Sequence, residues 1–428
     1  MFTSAQIILA VMAAVYIASR VFKLSTELSL FAAAAAGALA GGYGVPARHL
    51  VEGAFTYYDI ILIFITATLF MNLLKESGGI AFVVRAVLTK FYRRKVILFL
   101  IITLLLLIPG ALTGAGSVTV LITGGLIAVV LHYMGISKPK TTAIIFILAG
   151  LSAAAPPVSL WAMLTAAGVN MPYVGFFLPL LIPCVLLALI TIFILGWKSR
   201  PVDLERALHE LPKAPEGMNW WKVLAPFLLF FILVVAGRLW FFSMPVIGLP
   251  MMFMASAVLS LVLSPRKVNF LVISRETIHQ LLPLIGTLTC VGILVQVMAM
   301  TGVRGLIAIT IVTLPLTLVL LSLIVVLPVS EAVLMWGAAP VLGVPLVLLF
   351  NTIGLNPIVA LAGMSIIWPL GDALPPTAII GRLAKETVGM QEPYVRMLKH
   401  CLIPALIIAA VGIIMVLFSK HLAFLTMI

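Results

Sequence analysis

Two carboxylates stand inside long apolar stretches of this sequence, Glu331 in an expected turn, Pro328-Val329-Ser330-Glu331, and Asp372 three residues before Pro375-Pro376. Acids at bilayer depth are costly and are retained where they handle ions or pair with another group. With the Ser330 hydroxyl, Glu331 and Asp372 form a candidate cation site, suited to Na+ as a hard cation or to H+. The alternative is that they cap helix starts or pair with each other. Arg382 follows Pro376 by six residues, about one and a half turns along a helix that starts near Thr377. Its guanidinium could hold a substrate carboxylate by two parallel hydrogen bonds, or, with Lys385 and Glu386 beside it, mark the inner end of that helix.

The elements that must position these groups are interrupted helices. Pro156-Pro157 and Pro375-Pro376 each remove two backbone donors and clash with the preceding turn, so an apolar helix cannot run through either pair undisturbed. Thr113-Gly114-Ala115-Gly116-Ser117 is a second kind of break, a turn between two apolar legs at 96–112 and 118–134. Backbone freed at membrane depth is tolerated only where protein or a water-filled cavity satisfies it. The sequence places helix starts near Ser117, Val158, Ala332 and Thr377, and such starts offer free amides and partial positive charge to an anion. The expected substrate set is therefore Gly114, Ala115, Gly116, Ser117, Pro156, Pro157, Ser159, Pro375, Pro376, Thr377 and Arg382. No catalytic residue and no cofactor is expected, because Walker A, His-Glu-x-x-His and Gly-x-Ser-x-Gly patterns are all missing from the sequence. Cys184, Cys290 and Cys401 stand alone in apolar runs and read as core residues.

With 63% hydrophobic and 9% charged residues, the 428-residue chain is a polytopic membrane protein in contact with a lipid bilayer. The net charge of +13 reflects basic residues flanking apolar spans, so nucleic acid is not an expected partner. The first apolar run, lacking a basic leader, reads as a retained helix. A repeat is visible in the prolines and glycines. Pro109 matches Pro328, Gly135 matches Gly354, and Pro156-Pro157 matches Pro375-Pro376, all 219 residues apart. Pro172-Tyr173 and Pro393-Tyr394 follow at 221. Asn72 and Gln296, 224 apart, are matched amides that could serve the site or bond between helices.

Spans near 4–22, 26–43 and 55–74, the paired legs, the broken helix 141–167 and a span at 173–197 give each unit an odd number of crossings. The second unit then enters from the opposite side. With the N-terminus outside, 22 of the 26 Lys and Arg residues fall in inner segments, as the positive-inside rule requires. The expected fold is all-α, with two inverted repeats, 1–200 and 219–428, each holding a hairpin, re-entrant or crossing, and a proline-broken helix. Residues 201–218 form a polar connector with a short helix at 203–211. Residues 81–88 and the basic run after them read as an amphipathic surface helix.

The stretch Met71-Asn72 to Gly78-Gly79-Ile80, the turn Gly114-Ala115-Gly116-Ser117, Pro156-Pro157-Val158-Ser159, Gly354-Leu355-Asn356-Pro357 and Leu402-Ile403-Pro404 carry a further signal. Together they resemble the large membrane subunit of tripartite ATP-independent periplasmic (TRAP) transporters over nearly the whole chain. The resemblance implies a bacterial inner-membrane subunit with a periplasmic N-terminus. It would import a small organic anion such as a C4-dicarboxylate by an elevator motion coupled to Na+. It also implies two partners, a periplasmic substrate-binding protein and a small four-helix membrane subunit. Gluconate-type symporters share the plan, which leaves a stand-alone ion-coupled symporter as the alternative. A channel or scaffold subunit is the reading from another class.

Overall fold

The chain's computed structural model describes residues 2–240, 245 and 247–426. It is all-α, with no strand among the described residues. Nine helices among those residues are long and apolar enough to cross a bilayer. The first unit opens with Phe2–Val21, Thr26–Ala40 and the near-continuous Ala47–Phe55 and Tyr58–Glu76, followed by the amphipathic helix Gly79–Phe91. A hairpin of Lys95–Thr113 and Gly116–Tyr133 comes next, then the broken helix Lys138–Ala154 and Leu160–Gly168, then Phe177–Gly196. The second unit repeats this order. It runs Trp220–Leu239, Leu249–Val262, Phe270–Met300 and Val303–Thr313, then a hairpin of Leu316–Leu334 and Met335 onward to Thr352. Its broken helix is Pro357–Ile367, continued by the 3-10 turn Trp368–Ala373 and resumed at Ile379–Val388, and Tyr394–Leu417 closes the unit.

Backbone conformation repeats along with the element order. Left-handed residues recur at Gly78 and Gly302, at Gly135 and Gly354, and at Asn170 and Gly389, and both tandem prolines are cis. Direction is fixed by two contacts between the equivalent helices 47–76 and 270–300. Gly53 lies so close to the Ile293 backbone that an added Cβ would fall 2.6 Å from its Cα. Nineteen residues further on, the Asn72 amide donates to Thr277 Oγ1 at 2.9 Å and to Gln280 Oε1 at 3.2 Å. Rising numbers on one helix meet falling numbers on the other, so equivalent elements run antiparallel and the repeats are inverted. Asn72 therefore serves helix packing, the commoner use of such an amide.

The elements sort into two groups. The first three spans of each unit pack on one another across the repeats, Tyr58–Glu76 against Leu249–Val262 and Phe270–Met300 against Thr26–Ala40 and Ala47–Phe55. Small residues permit this, as where Gly53 meets Gly292 across the repeats, and within the first unit Gly37 admits Met12 in the same way. The hairpins, broken helices and closing spans form the other group, centred on Lys138–Ala154, which is buried on every side from Thr141 to Ala154. The connector carries the expected short helix as Leu204–Glu210, with Asp203 accepting from the Arg206 amide. It is tied down by Arg85, whose Nη1 donates to the Leu208 and Leu211 carbonyls at 2.8 and 2.9 Å.

One local expectation is corrected. Pro328 does not open the second turn, because the helix passes through it to Leu334 and turns at Met335, where φ is +54°. The helix after the second tandem proline begins at Ile379 and the one after the first at Leu160, each two residues later than expected.

Candidate functional site

In the second unit the hairpin leg and the break are pressed together. Gly371 sits against the Pro328 carbonyl, and a Cβ placed on it would come within 2.7 Å of the Glu331 Cβ. Thr377 Oγ1 donates to the Ala332 carbonyl at 2.9 Å, and the Tyr394 hydroxyl donates to the Ala373 carbonyl at 2.9 Å. These contacts clamp the residues on either side of Asp372 and Glu331. Both acids are sealed from solvent, at 1% and 0% exposure. Neither oxygen of Glu331 has a hydrogen-bond partner, nor has Asp372 Oδ2. The ion pairs among the described residues are Arg48–Glu52 and Arg206–Asp203, so no cation neutralises either acid. The two carboxylates neighbour each other, and the Trp161 indole of the first broken helix lies alongside Glu331 with its N–H unbonded. They neither cap a helix nor form a hydrogen-bonded pair, which leaves two carboxyl groups side by side under cover. Ser330, expected beside them, is buried and gives its hydroxyl to the Leu327 carbonyl at 2.7 Å.

The first unit repeats the cis proline pair and the hairpin with a different lining. Gly114, with φ +66°, ends the first leg, and Gly116 starts the second against the Ala149 carbonyl and the Ile380 side chain. The Val158 amide donates to the Ala111 carbonyl at 3.0 Å, and the Ser159 amide to the Tyr173 hydroxyl at 3.2 Å. Where the second unit has Glu331 and Asp372, this one has buried Leu112 and Ala153. Polar satisfaction is complete at Ser152, which donates to the Ala149 carbonyl at 2.6 Å and meets Thr119 Oγ1 at 2.9 Å. Ser159 Oγ remains without a partner.

Two cavities flank the breaks. One of about 580 Å³ is lined by Pro375, Ala378, Arg382, Lys385 and Tyr394 among others. Arg382 is exposed there, its Nη2 reaching only the Pro376 carbonyl at 3.3 Å, so the guanidinium is free to take an anion. Tyr394 joins this cavity to the Ala373–Asp372 backbone, and Gly381 leaves room for its hydroxyl. The other cavity, about 380 Å³, includes Pro156 and Pro157 and is walled almost wholly by apolar side chains. Gly114, Ala115, Gly116, Ser117 and Ser159 line neither cavity. Two helix starts meet across the repeats at Gly116 and Ile380, while the later half of Leu160–Gly168 meets Ala339, whose carbonyl accepts from Thr165 Oγ1 at 3.2 Å.

Sequence reasoning gave no role to Tyr173, Tyr394 or Lys138, whose amine donates to the Gly389 carbonyl at 3.0 Å. The matched Pro172-Tyr173 and Pro393-Tyr394 were the available signal for the tyrosines, since both hydroxyls bond the backbone of a break.

No protein-family model and no curated protein matches the sequence. Among solved structures, the chain is similar to the YdaH transporter of Alcanivorax borkumensis, described as having an unusual topology. The TM-score is 0.59 with 14% identity, over 87% of this chain and 87% of that one. It is also similar to MtrF of Neisseria gonorrhoeae, described as illuminating a class of antimetabolite efflux pumps. Here the TM-score is 0.63 with 14% identity, over 87% of this chain and 83% of that one. The fold is that of a membrane transporter. Both neighbours belong to a transporter family other than the TRAP subunits that the sequence motifs resemble.

Proposed function

We propose that this chain is a secondary active transporter of a small organic anion, with its coupling cation held by Glu331 and Asp372. The observation that carries the reading is the pair of sealed, neighbouring carboxyl groups at the second interruption, with Glu331 Oε1 and Oε2 and Asp372 Oδ2 lacking a hydrogen-bond partner and no ion pair to either group. Two unpartnered acids in such a place are costly, and a bound cation offsets that cost. The basic cavity at Arg382 supports an anionic substrate, because Tyr394 links it to the backbone that carries Asp372. The division into a six-span scaffold and a core of hairpins and broken helices supports an elevator motion of the core. The distribution of Lys and Arg supports an inner-membrane orientation with the N-terminus outside.

A stand-alone symporter is favoured over a tripartite assembly. Its support is the extent of similarity, 87% of the chain, to proteins described as a transporter and as efflux pumps. Purified protein in sealed vesicles, given either a Na+ or a pH gradient and a panel of labelled C4-dicarboxylates and sugar acids, tests this. Accumulation driven by one gradient with no added protein is the expected result. Flux that appears only with a periplasmic binding protein would restore the tripartite reading, and gradient-independent currents would replace both with a channel.

A further inference from the structure

The apolar cavity at the first break lies on the seam between the two groups of helices. Met71, Val223 and Phe227 come from the scaffold, and Leu107, Pro156 and Leu181 from the core. Its two polar side-chain groups offer little to a polar ligand. Thr123 gives its hydroxyl to the Thr119 carbonyl at 3.0 Å, and Trp220 stands at the first residue of its helix. Its lining follows two helices lengthwise, from Leu104 to Leu112 and from Trp220 to Phe231, about 12 and 17 Å at 1.5 Å per residue. At one end are Ile80 and Val83 of the amphipathic helix Gly79–Phe91 together with Trp220, which meets Phe82 edge to face at 5.4 Å. At the other end are Ala155, Pro156 and Pro157, inside the membrane-spanning core.

An amphipathic helix and a terminal tryptophan are marks of the membrane interface. Lys222 follows Trp220 by two residues and Lys75 follows Met71 by one helical turn, a basic collar in which neither amine makes an ion pair among the described residues. The volume of about 380 Å³ falls within the range of small-ligand sites. Basic side chains beside an apolar cavity that reaches the proline break match the two parts of an anionic phospholipid, a charged headgroup and an acyl chain.

We propose that one acyl chain of an anionic phospholipid enters this cavity from the Trp220 end and rests its methyl end on Pro156–Pro157. Its headgroup lies against the basic collar. Because the walls belong to both helix groups, the lipid fills the seam that the core must slide along. The site stands whether or not the transport reading holds.

Phosphatidylglycerol carrying a diazirine near the end of one acyl chain, incorporated into vesicles with the full chain, tests this by peptide mapping after photolysis. Saturable labelling concentrated in 104–112 and 155–157, and displaced by unlabelled phosphatidylglycerol, is expected. Filling the cavity with Leu224→Trp or Val83→Trp should lower that labelling about tenfold, the equivalent of about two lost methylene contacts. Leu318→Trp, on an exposed position outside the cavity, should leave it unchanged. Labelling spread evenly over the lipid-facing helices of the wild-type chain, or undiminished in monodisperse filled variants, would overturn the proposal.

Discussion

At the first interruption the tandem proline is backed by Leu112 and Ala153, and the space beside it is apolar. At the second the same cis pair is backed by Glu331 and Asp372, and the space beside it carries Arg382 and Lys385. Left-handed caps, a tyrosine bonded to each break and a hairpin bonded to each break are common to both. An inverted repeat thus supplies two scaffolds of one design, and the proposed function assigns the ion and the anion to the one whose matched positions carry Glu331 and Asp372.

Exchanging the lining should expose this division most strongly at Leu112. Leu112→Glu would put an uncompensated carboxylate into an apolar wall, and thermal unfolding in detergent should show a loss of about 3–5 kcal/mol. Gly371→Ala comes next. Its methyl would collide with the Pro328 carbonyl and the Glu331 Cβ, and overpacking of this kind costs about 1–3 kcal/mol. The variant should also lose transport, since it parts the hairpin from the break. The reverse exchange, Glu331→Leu, should raise stability by about 1–2 kcal/mol while abolishing gradient-driven flux. A destabilised Glu331→Leu would mean that the acid has a structural partner. Smallest is the tyrosine pair. Tyr394→Phe and Tyr173→Phe should each cost about 1 kcal/mol for one hydrogen bond. Only Tyr394→Phe should also weaken anion-dependent flux, and equal transport defects in both would erase the distinction between the breaks.

Much of this was written in the sequence because prolines and glycines constrain backbone directly. The offset of 219 residues exposed the repeat, and the odd crossing count gave its inversion, which the antiparallel contacts Gly53–Ile293 and Asn72–Thr277 bear out. The second turn, expected at Pro328-Val329-Ser330-Glu331, forms instead at Met335. Pro109, its match, sits inside a continuous leg, and Pro328 does likewise, since a single proline costs one hydrogen bond that close packing can offset. Helix starts came two residues late because the residues joining each break to the next helix leave helical geometry, Ser159 being extended and Ala378 left-handed. The adjacency of Trp161 to Glu331 joins positions 170 residues apart across the repeats, and no local pattern encodes it. The acids were legible by rarity alone, whereas their lack of partners needed the packing.

The most direct test of the account compares wild type with Glu331→Gln and Asp372→Asn in vesicles, measuring both gradient-driven accumulation and substrate counterflow. The account predicts that accumulation falls at least about a hundredfold, a loss of about 2.7 kcal/mol of coupling, while the folded protein retains counterflow. Accumulation at the wild-type level in both variants would contradict it.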